Sequence, residues 1–271
     1  MIIYPPKINP EKEEKKITTF IKQTFTLNNK SKALVAVSGG VDSTASLFLT
    51  VKALGPKNVY ALLLPSRLTD PIHLKQAQLA IKQIGLPPEN YTTINIGSII
   101  QKTWRIIKHY STLARSENQK LNPLRLANLS ARIRMILIYD HAKLLDALVI
   151  GTENLSEHLL GYYTRYGDEA SDLEPIRHLY KTQVYDLARF LHMPPEILSK
   201  PPTADLWPSQ SDEKELGFSY QAADPILYLK EQGKTEKEII SLGVEEKLVK
   251  MVFTQVKKMD FKHHVPYTIS L

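Results

Sequence analysis

A strand-length apolar run, Lys32–Val37, enters a glycine pair at Gly39-Gly40 and leaves it into a helical pattern from Ser43 to about Ala53. This unit constrains the fold more than any other feature. A run that is apolar throughout needs cover on both faces, and a turn this tight needs residues free in φ. Gly55-Pro56 stops the helix, and Val59–Leu64 reads as a second strand. Asp70-Pro71 then gives an N-cap and a helix-compatible first position for a helix through Ile84, ended by Gly85. Tyr91–Ile96 is a third strand, Ser98–Leu145 has helical spacing (clearest in Leu126–Leu145), and Ala147–Ile150 is another short buried strand. Strands alternating with helices predict an α/β fold, a doubly wound parallel sheet flanked by helices. Further on, Gly161–Pro175 reads as a loop, Lys181–His192 as a helix, Lys200–Ser211 as a proline-rich loop and Thr235–Lys258 as mostly helix. No repeat or linker divides the chain, so one domain over residues 1–271 is expected, with its ligands at the polar loops.

Composition narrows the chemistry. With no cysteine, the chain has no disulfide, no thiolate zinc site, no cysteine nucleophile and no thiol-based glutaminase domain. The apolar runs fall far short of the roughly 20 residues of a membrane span. Met1-Ile2-Ile3-Tyr4-Pro5-Pro6 lacks the basic start and apolar core of a secretory signal, so a cytoplasmic protein without membrane contact is expected. Lysine and arginine number 35 against 28 acidic residues, a net charge of +7. The basic residues are scattered, and Glu11–Lys16 reads EKEEKK, so no nucleic-acid partner is expected; the excess suits a polyphosphate substrate.

Between the first strand and its helix lies Ser38-Gly39-Gly40-Val41-Asp42-Ser43-Thr44. Glycines there let backbone N–H groups approach an anion, and the helix start adds its positive end. No lysine follows as in G-x-x-x-x-G-K-[ST], and G-x-G-x-x-G is absent. Instead the hydroxyls of Ser38, Ser43 and Thr44 join the amides, and Asp42 puts a carboxylate among phosphates, which calls for a bridging cation such as Mg²⁺. The loop resembles the S-G-G-x-D-S loop of the ATP pyrophosphatase superfamily, whose members break ATP between its α and β phosphates. That resemblance implies a Rossmann-like ATP pyrophosphatase fold and an adenylation reaction.

The second half selects among such enzymes. Gly151-Thr152-Glu153-Asn154-Leu155-Ser156-Glu157 is followed by Gly161-Tyr162-Tyr163-Thr164-Arg165-Tyr166-Gly167-Asp168, then Asp172, Pro175 and Lys181-Thr182-Gln183. Pro202-Thr203-Ala204-Asp205-Leu206, Gln210, Asp212-Glu213 and Glu215-Leu216-Gly217 complete the series. In this order the motifs resemble the ammonia-dependent NAD synthetase family from about Lys32 to Pro266. The resemblance implies ATP-dependent amidation of deamido-NAD by ammonia through an adenylated intermediate, releasing AMP and pyrophosphate. It implies ATP contacts from Ser38, Gly39, Gly40, Val41, Asp42, Ser43, Thr44, Thr152, Lys181 and Thr203, and Mg²⁺ on Asp42 and Glu157. Asp42, Lys181 and Asp168 are the implied catalytic set, with Asp168 taking the ammonium proton. Arg132, Arg165, Asp172 and Lys262 are the implied deamido-NAD contacts, and a homodimer is implied, with Leu126–Leu145 and part of Ser98–Leu113 as candidate contacts. Where the family's tail commonly reads H-K-R, Phe261-Lys262-His263-His264 keeps only the lysine. The loops Gly161–Pro175 and Thr203–Asp212 lack periodic apolar anchors and are expected to order over ATP. Two rivals, a tRNA-modifying adenylating enzyme and a nucleotide sensor without turnover, leave P-T-A-D-L or the full acid and cation set unexplained.

Overall fold

The computed structural model describes residues 3–66, 69–113, 123–203, 210–264 and 266–269. Four strands are short and strongly buried except at one edge: β1 (Lys32–Ala36), β2 (Val59–Leu63), β3 (Tyr91–Thr93) and β4 (Ala147–Ile150). They form one parallel sheet in the order β3-β2-β1-β4, with Ala33 opposite Val59 and Leu148 across β1. The chain steps outward from β1 to β3 and then returns to the other side of β1. A crevice therefore opens past the carboxyl ends of β1 and β4, the switch point of such a sheet. The edge strand is shorter than Tyr91–Ile96: regular pairing stops at Thr93, although Ile94 and Ile96 still donate to the carbonyls of Leu63 and Pro65.

Side chains alternate across the sheet. Ala33, Val35, Val59, Ala61 and Leu63 face one layer, which holds α1 (Pro10–Leu27), α2 (Val41–Leu54), α3 (Pro71–Gln83), α7 (Lys181–Phe190) and α8 (Pro195–Leu198). Leu34, Leu62 and Val149 face the other, covered by α4 (Gly97–Leu113) and α5 (Pro123–Leu145). A third apolar cluster joins α6 (Leu155–Leu160), α10 (Tyr220–Glu231), α11 (Glu236–Ser241) and α12 (Glu246–Met259), with α9 (Asp212–Leu216) beside it. Among the described residues no helix is long and apolar enough to cross a membrane.

The caps follow local chemistry. Asp70 accepts from the Ile72 N–H at 3.0 Å at the start of α3, and Asn9 accepts from the Lys12 N–H to begin α1. Helix α1 buries Ile17, Ile21 and Phe25 against α2 and α7 even though its sequence is dominated by charge. The Thr235–Lys258 stretch is two helices, because Leu242-Gly243 ends α11 with Gly243 at φ +90°.

Candidate active site

The turn after β1 is shaped by two glycines and a set of hydroxyls. Gly39 sits at φ +82°, and a β-carbon there would stand 2.3 Å from the His73 carbonyl oxygen of α3, so no other residue fits. The Ser43 hydroxyl receives the Ser38 N–H at 3.2 Å, lies 3.0 Å from the Ser38 hydroxyl and donates to the Gly40 carbonyl. Val41 opens α2, and Thr44 is fully buried, its hydroxyl without a hydrogen bond among the described residues. The turn thus sits over the positive end of a 14-residue helix, where an anion is favoured.

Asp42, one residue into α2, meets the second and third polar elements of the crevice. One carboxylate oxygen accepts from Lys181 Nζ at 2.6 Å and the other from Asn154 Nδ2 at 3.0 Å. The same Nζ donates to Glu157 Oε1 at 2.8 Å and lies 5.2 Å above the Tyr220 ring. Lys181 is the first residue of α7, and Glu157 sits in the first turn of α6, capped by Asn154 through a bond to the Glu157 N–H. Burial works against the Lys181 charge, but Asp42, Glu157 and Asp212 more than offset it and hold the ammonium well above the usual lysine range. Burial pushes Glu157 up to about 8; Lys181 pulls it down and the neighbouring Asp42 pushes it further up. Two carboxylate oxygens from separate helices therefore converge on one cationic point. That is a donor set of hard oxygens, the kind Mg²⁺ prefers, and so the residues present fit that ion.

A second group gathers along the loop after α6. Asp168, an exposed residue with protein packed densely on its inner side, receives the Thr164 N–H at 3.0 Å. The surrounding protein pushes its carboxyl upward, against bonds from its own N–H and from Thr164. Arg132 of α5 donates to the Arg165 carbonyl at 3.2 Å, and the Arg165 guanidinium lies over Tyr166 and Phe261. Lys262 donates to the carbonyls of Gly161 and Tyr163 and so ties the chain's end to this loop. Asp172 accepts the Val149 N–H of β4 at 2.7 Å. The loop is pinned in addition by Thr164 to Asn128 at 2.9 Å, so Gly161–Pro175 is anchored by polar bonds where apolar anchors are few. Thr152 follows Gly151 at the end of β4, half-buried, and Thr203 precedes residues 204–209, which include Ala204, Asp205 and Leu206 and lie outside the described residues.

Several residues of this region carry no motif-level signal. Glu153 is buried with Arg177 Nε and His158 Nδ1 each 3.5 Å from its carboxylate. Glu174 accepts from Ser171 and from the Glu153 N–H, and burial first, then Glu153, pushes it up to about 8. Gly151 makes room for it, since a β-carbon there would meet the Glu174 carboxylate at 1.9 Å. Asn154, the N-cap of α6, lies in the Gly151–Glu157 motif, which by itself assigns it no role. Asp224, fully buried on α10, comes from far along the sequence and was not legible there.

The whole arrangement has known relatives. Residues 13–266 match the family described as NAD synthase. The chain belongs to this family. Over 96% of its length it is 34% identical to an NH(3)-dependent NAD(+) synthetase of Fusobacterium nucleatum, covering 95% of that protein. Among solved structures it resembles an NMN synthetase from Francisella tularensis (TM-score 0.83, 28% identity, 98% of this chain and 100% of that one). It also resembles an NH3-dependent NAD synthetase from Campylobacter jejuni (TM-score 0.76, 30% identity, 97% and 100%). The NAD synthase family match takes in the turn after β1, both polar groups and Lys262.

Proposed function

We propose that this chain is an ammonia-dependent NAD synthetase, a carbon–nitrogen ligase that amidates deamido-NAD at the expense of ATP. The observation that carries the reading is Lys181 Nζ held between Asp42 and Glu157, at the starts of three helices beside a glycine turn built for an anion. In the reaction the nicotinate carboxylate oxygen attacks the α-phosphorus of ATP, the α–β bridging bond breaks and pyrophosphate leaves. Ser38, Gly39, Gly40, Val41, Ser43 and Thr44 receive that pyrophosphate with amides and hydroxyls, and Thr152 and Thr203 complete the nucleotide contacts. Asp42 and Glu157 hold Mg²⁺, which when bound offsets the charge of the phosphate chain. Lys181, whose ammonium is shared by those two carboxylates, would turn to a phosphate oxygen when the nucleotide is bound.

The second step needs free ammonia, which at neutral pH is mostly ammonium. Asp168, raised by the protein around it, is a stronger base than a solvated carboxylate and takes the proton. Ammonia then adds to the acyl carbon and AMP departs. Arg132 and Arg165, joined by the bond from Arg132 to the Arg165 carbonyl, offer guanidinium groups to the dinucleotide, and Lys262 and Asp172 are proposed as its further contacts. Exposed apolar residues on α4 and α5, Ile106, Leu124, Ile136 and Leu144, support a homodimer through these helices; we take each chain as a single domain in a cytoplasmic setting.

A second reading changes only the acid. The Francisella likeness, over 98% of this chain, favours nicotinate mononucleotide as an alternative acceptor giving NMN. Supplying each acid with MgATP and ammonium, and measuring amide, AMP and pyrophosphate, separates the two. Amide from neither, or ATP cleaved to ADP, refutes both.

A further inference from the structure

Asp224 takes no part in the reaction as derived, yet it is a fully buried carboxylate, which is costly unless its oxygens are bonded. Both are. One accepts the Ser156 hydroxyl at 2.6 Å; the other accepts the Thr182 N–H at 2.9 Å and the Thr182 hydroxyl at 2.7 Å. The Ser156 oxygen in turn accepts the Lys181 N–H at 2.8 Å. The first two amides of α7, which no helix bond can satisfy, therefore end on Asp224 directly or through Ser156. The N-cap position is Tyr180, which has no short acceptor of its own, so a carboxylate 42 residues beyond Thr182 does the capping.

The neighbours of these bonds matter more than the bonds. Ser156 precedes Glu157 on α6, and Thr182 follows Lys181 on α7. Helix α7 packs with the sheet layer, whereas α6 and α10 belong to the third cluster. We infer that Asp224 is a positioning residue that locks the starts of α6 and α7 together, so that Glu157 and Lys181 reach the nucleotide as one unit. This rests on the reading of Lys181 as a nucleotide contact. Asp224 serves the adenylation half of the reaction and leaves the ammonia half alone, because its bonds do not reach the Asp168 loop.

The test is a double-mutant cycle on MgATP affinity, measured by calorimetry on the full chain, with Asp224→Asn and Lys181→Met singly and together. A residue acting through Lys181 gives strong non-additivity: about tenfold weaker MgATP in the native background and under about twofold in the Lys181→Met background. The KM for ammonium stays within about twofold in Asp224→Asn. Thr182→Ser keeps both bonds and native affinity, while Thr182→Val, which loses one, weakens MgATP several-fold. If Asp224→Asn does not fold, Ser156→Ala and Thr182→Val take its place in the cycle. Equal losses in both backgrounds, no loss in the native one, or a parallel rise in the ammonium KM overturns the inference. A native chain that fails to bind MgATP overturns the nucleotide reading itself.

Discussion

Replacing Lys181 with methionine removes one charge from a buried set of three and should be felt first as stability. The ammonium sits 2.6 Å from Asp42 and 2.8 Å from Glu157, with its own side chain 4% exposed and theirs 15% and 17%. At an effective dielectric near 20 each contact is a gross attraction of about 6 kcal/mol. Most of this only offsets the cost of taking charges out of water, so the gross figure overstates the effect. What deletion leaves is two facing carboxylates without a counter-ion, and breaking such a buried set costs about 3–5 kcal/mol. With Lys181 gone, Glu157, which burial and Asp42 already push upward, takes a proton more readily and draws the loss toward the low end. We expect about 3 kcal/mol, or a fall in Tm of about 6–12 °C for a chain of this size. The pH dependence follows from the same groups. Lys181 is held above its usual range, so in the native chain its contribution is complete at neutral pH and fades only in strong alkali. In the variant, Glu157, which burial and then Asp42 push upward, takes a proton as the pH falls and the repulsion is relieved, so the deficit shrinks from pH 7.5 to pH 5. Chemical denaturation of both chains across that range is the assay. A variant as stable as the native chain at pH 7.5, or a deficit that grows toward acid, would refute the reasoning.

Asp168→Asn should leave pyrophosphate exchange from ATP near native and slow amide formation about 100-fold or more, as expected when a general base is lost; rapid-quench separation of the two steps checks it. Glu174 binds its proton more tightly folded (about 8) than unfolded, so its contribution is full below its ordinary value of 4.5 and is lost as pH rises to 8. Glu174→Gln should flatten that slope and stabilise the chain by about 1–2 kcal/mol above pH 8, read by thermal melts in a pH series. Ile136→Asp puts a charge on the exposed apolar face of α5; sedimentation should show a dimer becoming a monomer, and an unchanged mass would argue against that face.

Much of the fold was legible because its cues are local. The β1 run, the Gly39-Gly40 turn, the Asp70-Pro71 start of α3 and the Gly55-Pro56 stop each declare themselves within a few residues. Helix α1 reads from sequence as a charged stretch because Ile17, Ile21 and Phe25 are too sparse to stand out until α2 and α7 lie beneath them. β3 was read too long because pairing at an edge ends where the partner does. In the site, ordered motifs pointed to Asp42, Glu157 and Lys181, and these three meet. The Asp224 bonds span 68 and 42 residues and have no sequence period to reveal them. The placement of Lys262 on two loop carbonyls was equally invisible, since a lysine's partners are set by tertiary structure.

The central claim is that the acid's own oxygen attacks the α-phosphorus while the turn after β1 holds the leaving pyrophosphate. Deamido-NAD carrying heavy oxygen in its nicotinate carboxylate tests this directly, with MgATP, ammonium and mass analysis of the products. The account predicts one labelled oxygen in AMP for each NAD formed and none in pyrophosphate. Unlabelled AMP, or label in inorganic phosphate, would contradict it.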